Sequence, residues 1–124
     1  MSTPEEKIVY IATHAGENPE KAAMPFVMAN AALAMDVKAV IALQGNGVYL
    51  ALKGYPDTML PGGGFPPMKK LIQDFLELGG NLLVCVPCIK ERHIEEAQLI
   101  QGAVLTAGGA LTQEILSANA SLVY

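Results

Sequence analysis

Val37-Lys38-Ala39-Val40-Ile41-Ala42-Leu43 is apolar at every position but Lys38, and it stops at the polar turn Gln44-Gly45-Asn46-Gly47. A strand with one wet face alternates apolar with polar residues. A run that stays apolar at consecutive positions expects cover on both faces. Residues 8–12 (IVYIA) and 82–86 (LLVCV) repeat the pattern, and residues 103–106 and 121–123 are shorter candidates. Helical stretches separate these runs, so the chain reads as a parallel sheet clad on both sides.

The helices carry their own signals. Asn18-Pro19 reads as N-cap and first helical residue of a helix over 20–35. Pro25 conflicts with it, because an interior proline removes a backbone hydrogen bond at a cost of about 3 kcal/mol. The helix therefore either kinks there or begins its regular part near Met24. Residues 26–35 are apolar nearly all round, as expected of a helix that faces both the sheet and another subunit. A short helix is expected over 47–53, a glycine-rich loop at 61–64 and an amphipathic helix over 66–78. In that helix Leu71, Ile72, Phe75 and Leu76 share a face, and Gly79-Gly80 supplies the stop. Another short helix follows Cys85 and Cys88 as far as about residue 96, and the last covers 111–118. The order βαβααβαβαβ makes residues 1–124 a single three-layer α/β domain with a five-stranded, mainly parallel sheet.

Hydrophobic residues make up 52% of the chain and charged residues 16%. That apolar load exceeds what a small monomer normally hides, so a homo-oligomer is expected. A net charge of −4 and the lack of a Lys/Arg cluster exclude a nucleic-acid binder. Lys69-Lys70, the one adjacent basic pair, reads as a solvated helix face. Residues 1–7 have no apolar signal core, and no apolar run reaches membrane-spanning length. A cytoplasmic protein without a membrane partner is the expectation. In a reducing compartment, the two cysteines of Cys85-Val86-Pro87-Cys88 point to redox, sulfur or metal chemistry rather than to a staple.

Ligands of open parallel sheets bind outside the carboxyl ends of the strands. Those ends place His14 after the first strand, Gln44-Gly45-Asn46 after the second, Cys85 at the third and Gly108-Gly109 after the fourth. Cys85 is the preferred nucleophile, because a helix begun by Pro87 would lower its thiol pKa. Cys88 divides evenly between a role and none. His14 either donates a proton or holds a loop, Asn46 caps the next helix, and His93 is an exposed helix residue with Arg92 beside it. The glycine run at 62–64 lacks the Gly-Lys-Ser/Thr ending of a P-loop, and no Gly-x-Gly-x-x-Gly follows a strand, so no nucleotide cofactor is expected. Cys85, Cys88, His93 and His14 add up to four metal ligands, but not at zinc spacing, so no metal is expected.

Asn18-Pro19-Glu20-Lys21-Ala22 after the first strand, residues 40–50 (VIALQGNGVYL), and Leu78-Gly79-Gly80-Asn81 leading into Cys85 and on to Arg92-His93-Ile94 resemble the DsrE/DsrF-like family. This is a family of small sulfur-relay proteins, and the likeness spans nearly the whole chain. The resemblance implies a flavodoxin-like domain assembled as a trimer, hexamer or hetero-oligomer. It also implies a persulfide on Cys85, exchanged with sulfur donor and acceptor proteins. Two features depart from the family: Pro87 and Cys88 stand where small residues are usual, and Arg92-His93 replaces an arginine-glycine pair. Cys88 either stays out of the exchange or resolves the persulfide, releasing sulfide. The leading reading is a cytoplasmic sulfur carrier or sulfurtransferase. A Cys-x-x-Cys dithiol redox protein and a non-catalytic oligomeric regulatory subunit are the alternatives.

Overall fold

A computed structural model describes residues 5–124; part of the polar N-terminal stretch, residues 1–4, lies outside the described residues. Five strands, β1 (Lys7–Ala12), β2 (Lys38–Leu43), β3 (Asn81–Cys85), β4 (Ala103–Thr106) and β5 (Ala120–Val123), form one sheet in the order β4-β3-β2-β1-β5. Every pairing is parallel. The layers are flavodoxin-like, but the strand order is this fold's own, since flavodoxin itself runs 2-1-3-4-5.

The order explains where the helices lie. From β1 to β2 to β3 to β4 the chain steps in one direction, and right-handed crossovers then keep every connection on one face. Helix α1 (Pro19–Ala34) and helix α2 (Met68–Glu77) pack there, over Tyr10, Ala12, Ile41, Leu43, Leu82 and Val84. Phe26 and Phe75 meet edge to face at 5.6 Å and lock the two helices together. The last connection must travel back across the sheet to β5, so its helix α4 (Gly108–Leu116) lies on the opposite face. There Leu111 covers Val9, Val40 and Ala42. β2 sits in the middle of the sheet, and all its residues after Lys38 are buried.

Asn18 caps α1 as its sequence predicts, accepting the Lys21 amide at 3.2 Å, with Pro19 next to it. Pro25 does not divide the helix: α1 runs continuously from Pro19, and the proline ring is fully buried. Two helices differ from expectation. The segment after β2 is a 3₁₀ helix, Gly45–Ala51, pressed so closely on β1 that a side chain at Gly47 would strike the Ala12 carbonyl. The helix after Cys85, α3, covers only Val86–Glu91, with a separate 3₁₀ turn at Glu96–Gln98.

Helices α1, α2 and α3 end in the same backbone turn. The left-handed residue is Asp36 after α1, Gly79 after α2 and His93 after α3, with φ of 61°, 91° and 55°. In each case its amide and the next one bond back to the last turn: Asp36 to Leu33 and Val37 to Ala32, Gly79 to Leu76 and Gly80 to Phe75, His93 to Lys90 and Ile94 to Ile89. His93 is exposed as expected, but it lies in the turn just beyond the helix and not on a helical face. A residue with a Cβ is disfavoured at this φ by about 1 kcal/mol or more, part of which glycine's larger unfolded-state entropy cancels. His93→Gly is expected to stabilise the fold by about 0.5 kcal/mol and His93→Val to destabilise it by a similar amount. Urea midpoints of the two variants check this, and equal midpoints would contradict it.

Candidate functional site

Cys85 is both the last residue of β3, paired with Thr106 of β4, and the residue from which α3 starts. Residues three apart on a helix share a face, so Cys88 comes back over Cys85. The Cys88 thiol donates to Cys85 Sγ across 2.8 Å, and both thiols are free and half-buried. The Gly45 amide donates to Cys88 Sγ at 3.3 Å, which ties the pair to the 3₁₀ helix after β2.

Arg92 lies one turn beyond Cys88. Its guanidinium donates to the Cys88 carbonyl at 3.2 Å and to Asn46 Oδ1 at 3.0 Å, and it sits 5.8 Å over the Tyr49 ring. Tyr49 stacks on Tyr55 at 5.3 Å, and the Tyr55 hydroxyl accepts the Gly16 amide at 3.0 Å. Asn46 is thus not a helix cap: Gln44 holds that position, without a side-chain cap bond, and the Asn46 side chain serves Arg92.

His14 lies on the same rim, but β2 separates β1 from β3, a distance of about 10 Å between strand axes. Its Nδ1 pairs with Glu17 Oε2 at 2.9 Å, and Glu17 Oε1 accepts the Ala15 amide at 2.7 Å. Burial pushes the Glu17 carboxyl up, but the Ala15 amide, His14 and Asn46 together hold it below its ordinary value. His14 therefore organises the loop after β1 in this structure.

The Cys85 thiol is pushed up from its ordinary value, and the expectation of a lowered pKa is corrected. Burial is the largest cause and the Cys88 thiol adds to it, while the Cys88 backbone amide and Arg92 pull the other way. With only six residues, α3 supplies too little dipole to offset that burial.

Four metal donors counted along the chain do not converge. His14 is taken by Glu17, and among the described residues no three His, Cys, Asp or Glu side chains gather around one point. A cavity of about 410 Å³ flanks α3 between Val86, Lys90, His93, Glu96 and Leu105, but neither sulfur lines it. None of the described helices is long and apolar enough to cross a membrane.

Tyr49 was missing from the sequence-derived rim, and the contacts that Gly45, Asn46 and Arg92 make there were not foreseen. One signal was available, since Cys88 and Arg92 stand four apart and so share a helix face. The other contacts join segments far apart in the chain, and only the sheet brings them together.

Known proteins match this chain along most of its length. It is 34% identical to uncharacterized protein MJ0989 of Methanocaldococcus jannaschii over 80% of this chain and 82% of that one. It is 31% identical to uncharacterized protein MK0008 of Methanopyrus kandleri over 85% and 84%. Uncharacterized protein MJ0760 of M. jannaschii is 36% identical over 78% of this chain, but the match covers only 35% of that longer protein. Among solved structures, the E. coli ychN protein superposes with a TM-score of 0.75 at 21% identity, covering 96% of this chain and 99% of that one. MTH1491 of Methanobacterium thermoautotrophicum, a protein of unknown function, superposes at 0.67 and 10% identity, covering 96% and 99%. These two likenesses establish the fold. The DsrE/DsrF-like family model matches residues 6–124, and with that match the chain belongs to the DsrE/DsrF-like family.

Proposed function

We propose that this protein is a sulfur carrier or sulfurtransferase that accepts sulfane sulfur as a persulfide on Cys85 and passes it to a partner's thiol. The family supplies a sulfur-relay-type fold. The observation that carries the reading is the placement of Cys85, a half-exposed thiol where β3 meets α3, on the rim with Arg92 nearby. A thiolate takes the outer sulfur from a donor, and an acceptor thiolate later removes it, so thiolate fraction and access set the rates. A raised pKa leaves less thiolate at neutral pH, but the thiolate present is more nucleophilic. Such exchange requires reduced thiols, which places the work in the cytoplasm.

The S···S contact favours a second reading, a dithiol redox protein cycling a Cys85–Cys88 disulfide. The two readings part on the sulfur itself, because only the first puts sulfane sulfur on Cys85, while the second cycles the disulfide without it.

Self-association belongs to the same proposal. Val123, Ile11, Ala42, Leu83 and Val104 form one apolar row across all five strands on the α4 face. α4 buries the middle of the row, while Val104 and Val123 at its ends are 56% and 71% exposed. All-parallel sheets are covered on both faces, and a second copy of the chain supplies an equally apolar surface to complete the cover.

Three outcomes are expected. Incubation with a sulfane donor adds sulfur at Cys85, which peptide mass spectrometry locates; a Cys85→Ser chain that gains sulfur as well as wild type does would end the proposal. Alkylation of Cys85 has its midpoint above the ordinary thiol range. Because the thiolate is the reacting form, Arg92→Gln moves that midpoint to higher pH and Cys88→Ala moves it lower; unmoved midpoints would show that neither group acts on the sulfur. Native mass spectrometry shows an oligomer that Val104→Asp with Val123→Asp dissociates, with circular dichroism unchanged. A wild-type monomer would remove the assembly claim.

A further inference from the structure

We infer that Cys88 resolves the persulfide on Cys85 when no acceptor thiol takes the sulfur, so that the chain then releases it as sulfide and is left with a Cys85–Cys88 disulfide. The inference rests on the persulfide reading and gives Cys88 the role of resolving thiol.

The geometry selects which sulfur is attacked. In a persulfide Cys85 carries an inner sulfur, its own Sγ, and an outer sulfur about 2 Å farther out. Cys88 Sγ already touches the inner one, at 2.8 Å. Neither sulfur is engaged elsewhere in a disulfide, and the Gly45 amide holds Cys88 Sγ in place. The positions are set by the backbone: Cys85 ends a strand whose register is fixed by β2 and β4, and Cys88 rides the first turn of α3. Arg92 anchors that turn through the Cys88 carbonyl. Closing a disulfide requires the sulfurs to approach by less than 1 Å, from 2.8 Å to about 2 Å.

The step balances. Loading is Cys85–SH plus a donor R–S–SH giving Cys85–S–SH plus R–SH. Cys88 then loses its proton and attacks Cys85 Sγ. The Cys85–Cys88 S–S bond forms, the bond to the outer sulfur breaks, and the electron pair leaves with that sulfur as HS⁻. The sulfane sulfur is reduced and the two cysteine sulfurs are oxidised. A dithiol reductant returns the pair to its starting state, so turnover consumes one equivalent of such a reductant per sulfide. Attack on the outer sulfur would only move the sulfur to Cys88, and the chain would keep it.

The experiment mixes glutathione persulfide, whose loading co-product is the thiol glutathione and not sulfide, with reduced wild-type, Cys88→Ser and Cys88→Ala proteins, reading intact mass and sulfide in excess of a protein-free control. Wild type is expected to end two hydrogens lighter, with a Cys85–Cys88 disulfide and one sulfide released per chain. Both Cys88 variants are expected to end one sulfur heavier at Cys85, with the sulfide release lost. Wild type that retains the added sulfur and releases no sulfide overturns this inference while leaving the persulfide reading intact. If the two Cys88 variants take up no sulfur at Cys85, the persulfide reading itself fails and the inference falls with it.

Discussion

Parallel strands cannot be joined by a tight turn, so each of the four connections here must cross the sheet, and it must do so right-handed. That single constraint arranges the molecule. Three steps in one direction bring the connections carrying α1 and α2 onto one face, and the return to β5 sends α4 to the other. Because all strands point the same way, every carboxyl end lies on one rim. The residues that end or follow β1, β2 and β3, namely His14, Gly45-Asn46 and Cys85-Cys88, are brought to one rim there from distant parts of the sequence, His14 a strand apart from the cysteines.

The sheet was legible because burial on both faces writes itself as consecutive apolar residues. Residues 37–43 read as a doubly covered strand, and β2 is buried at every position after Lys38. Asn18-Pro19 was legible for a local reason, since a cap bond spans only three residues. What could not be read was geometry that depends on distant backbone. Asn46 looked like a cap beside glycines; its actual partner is Arg92, 46 positions away. The Cys85 thiol was expected to ionise easily from its place before a helix. The length of α3 and the degree of burial decide the sign instead, and neither is encoded within the four residues of Cys-Val-Pro-Cys.

His93 shows how a family motif and a backbone position explain each other. The expectation treated Arg92-His93 as a departure in chemistry, a basic pair in place of an arginine and a glycine. The left-handed φ at His93 shows that the second position of the pair is about chain conformation, while the first holds the side chain that meets Tyr49, Asn46 and the Cys88 carbonyl. A residue with a Cβ at position 93 costs conformational energy but leaves the arginine's contacts standing.

Those contacts have a mechanical consequence. Arg92 touches α3, the 3₁₀ helix after β2 and, through Tyr49 and Tyr55, the backbone at Gly16. Segments cross-linked in this way open together or stay closed together, so the rim forms one cooperative unit rather than three independently fraying loops. Moving α3 away from Cys85 would therefore disturb the loop after β1 as well, and a displacement at the sulfur would reach Gly16, two strands away.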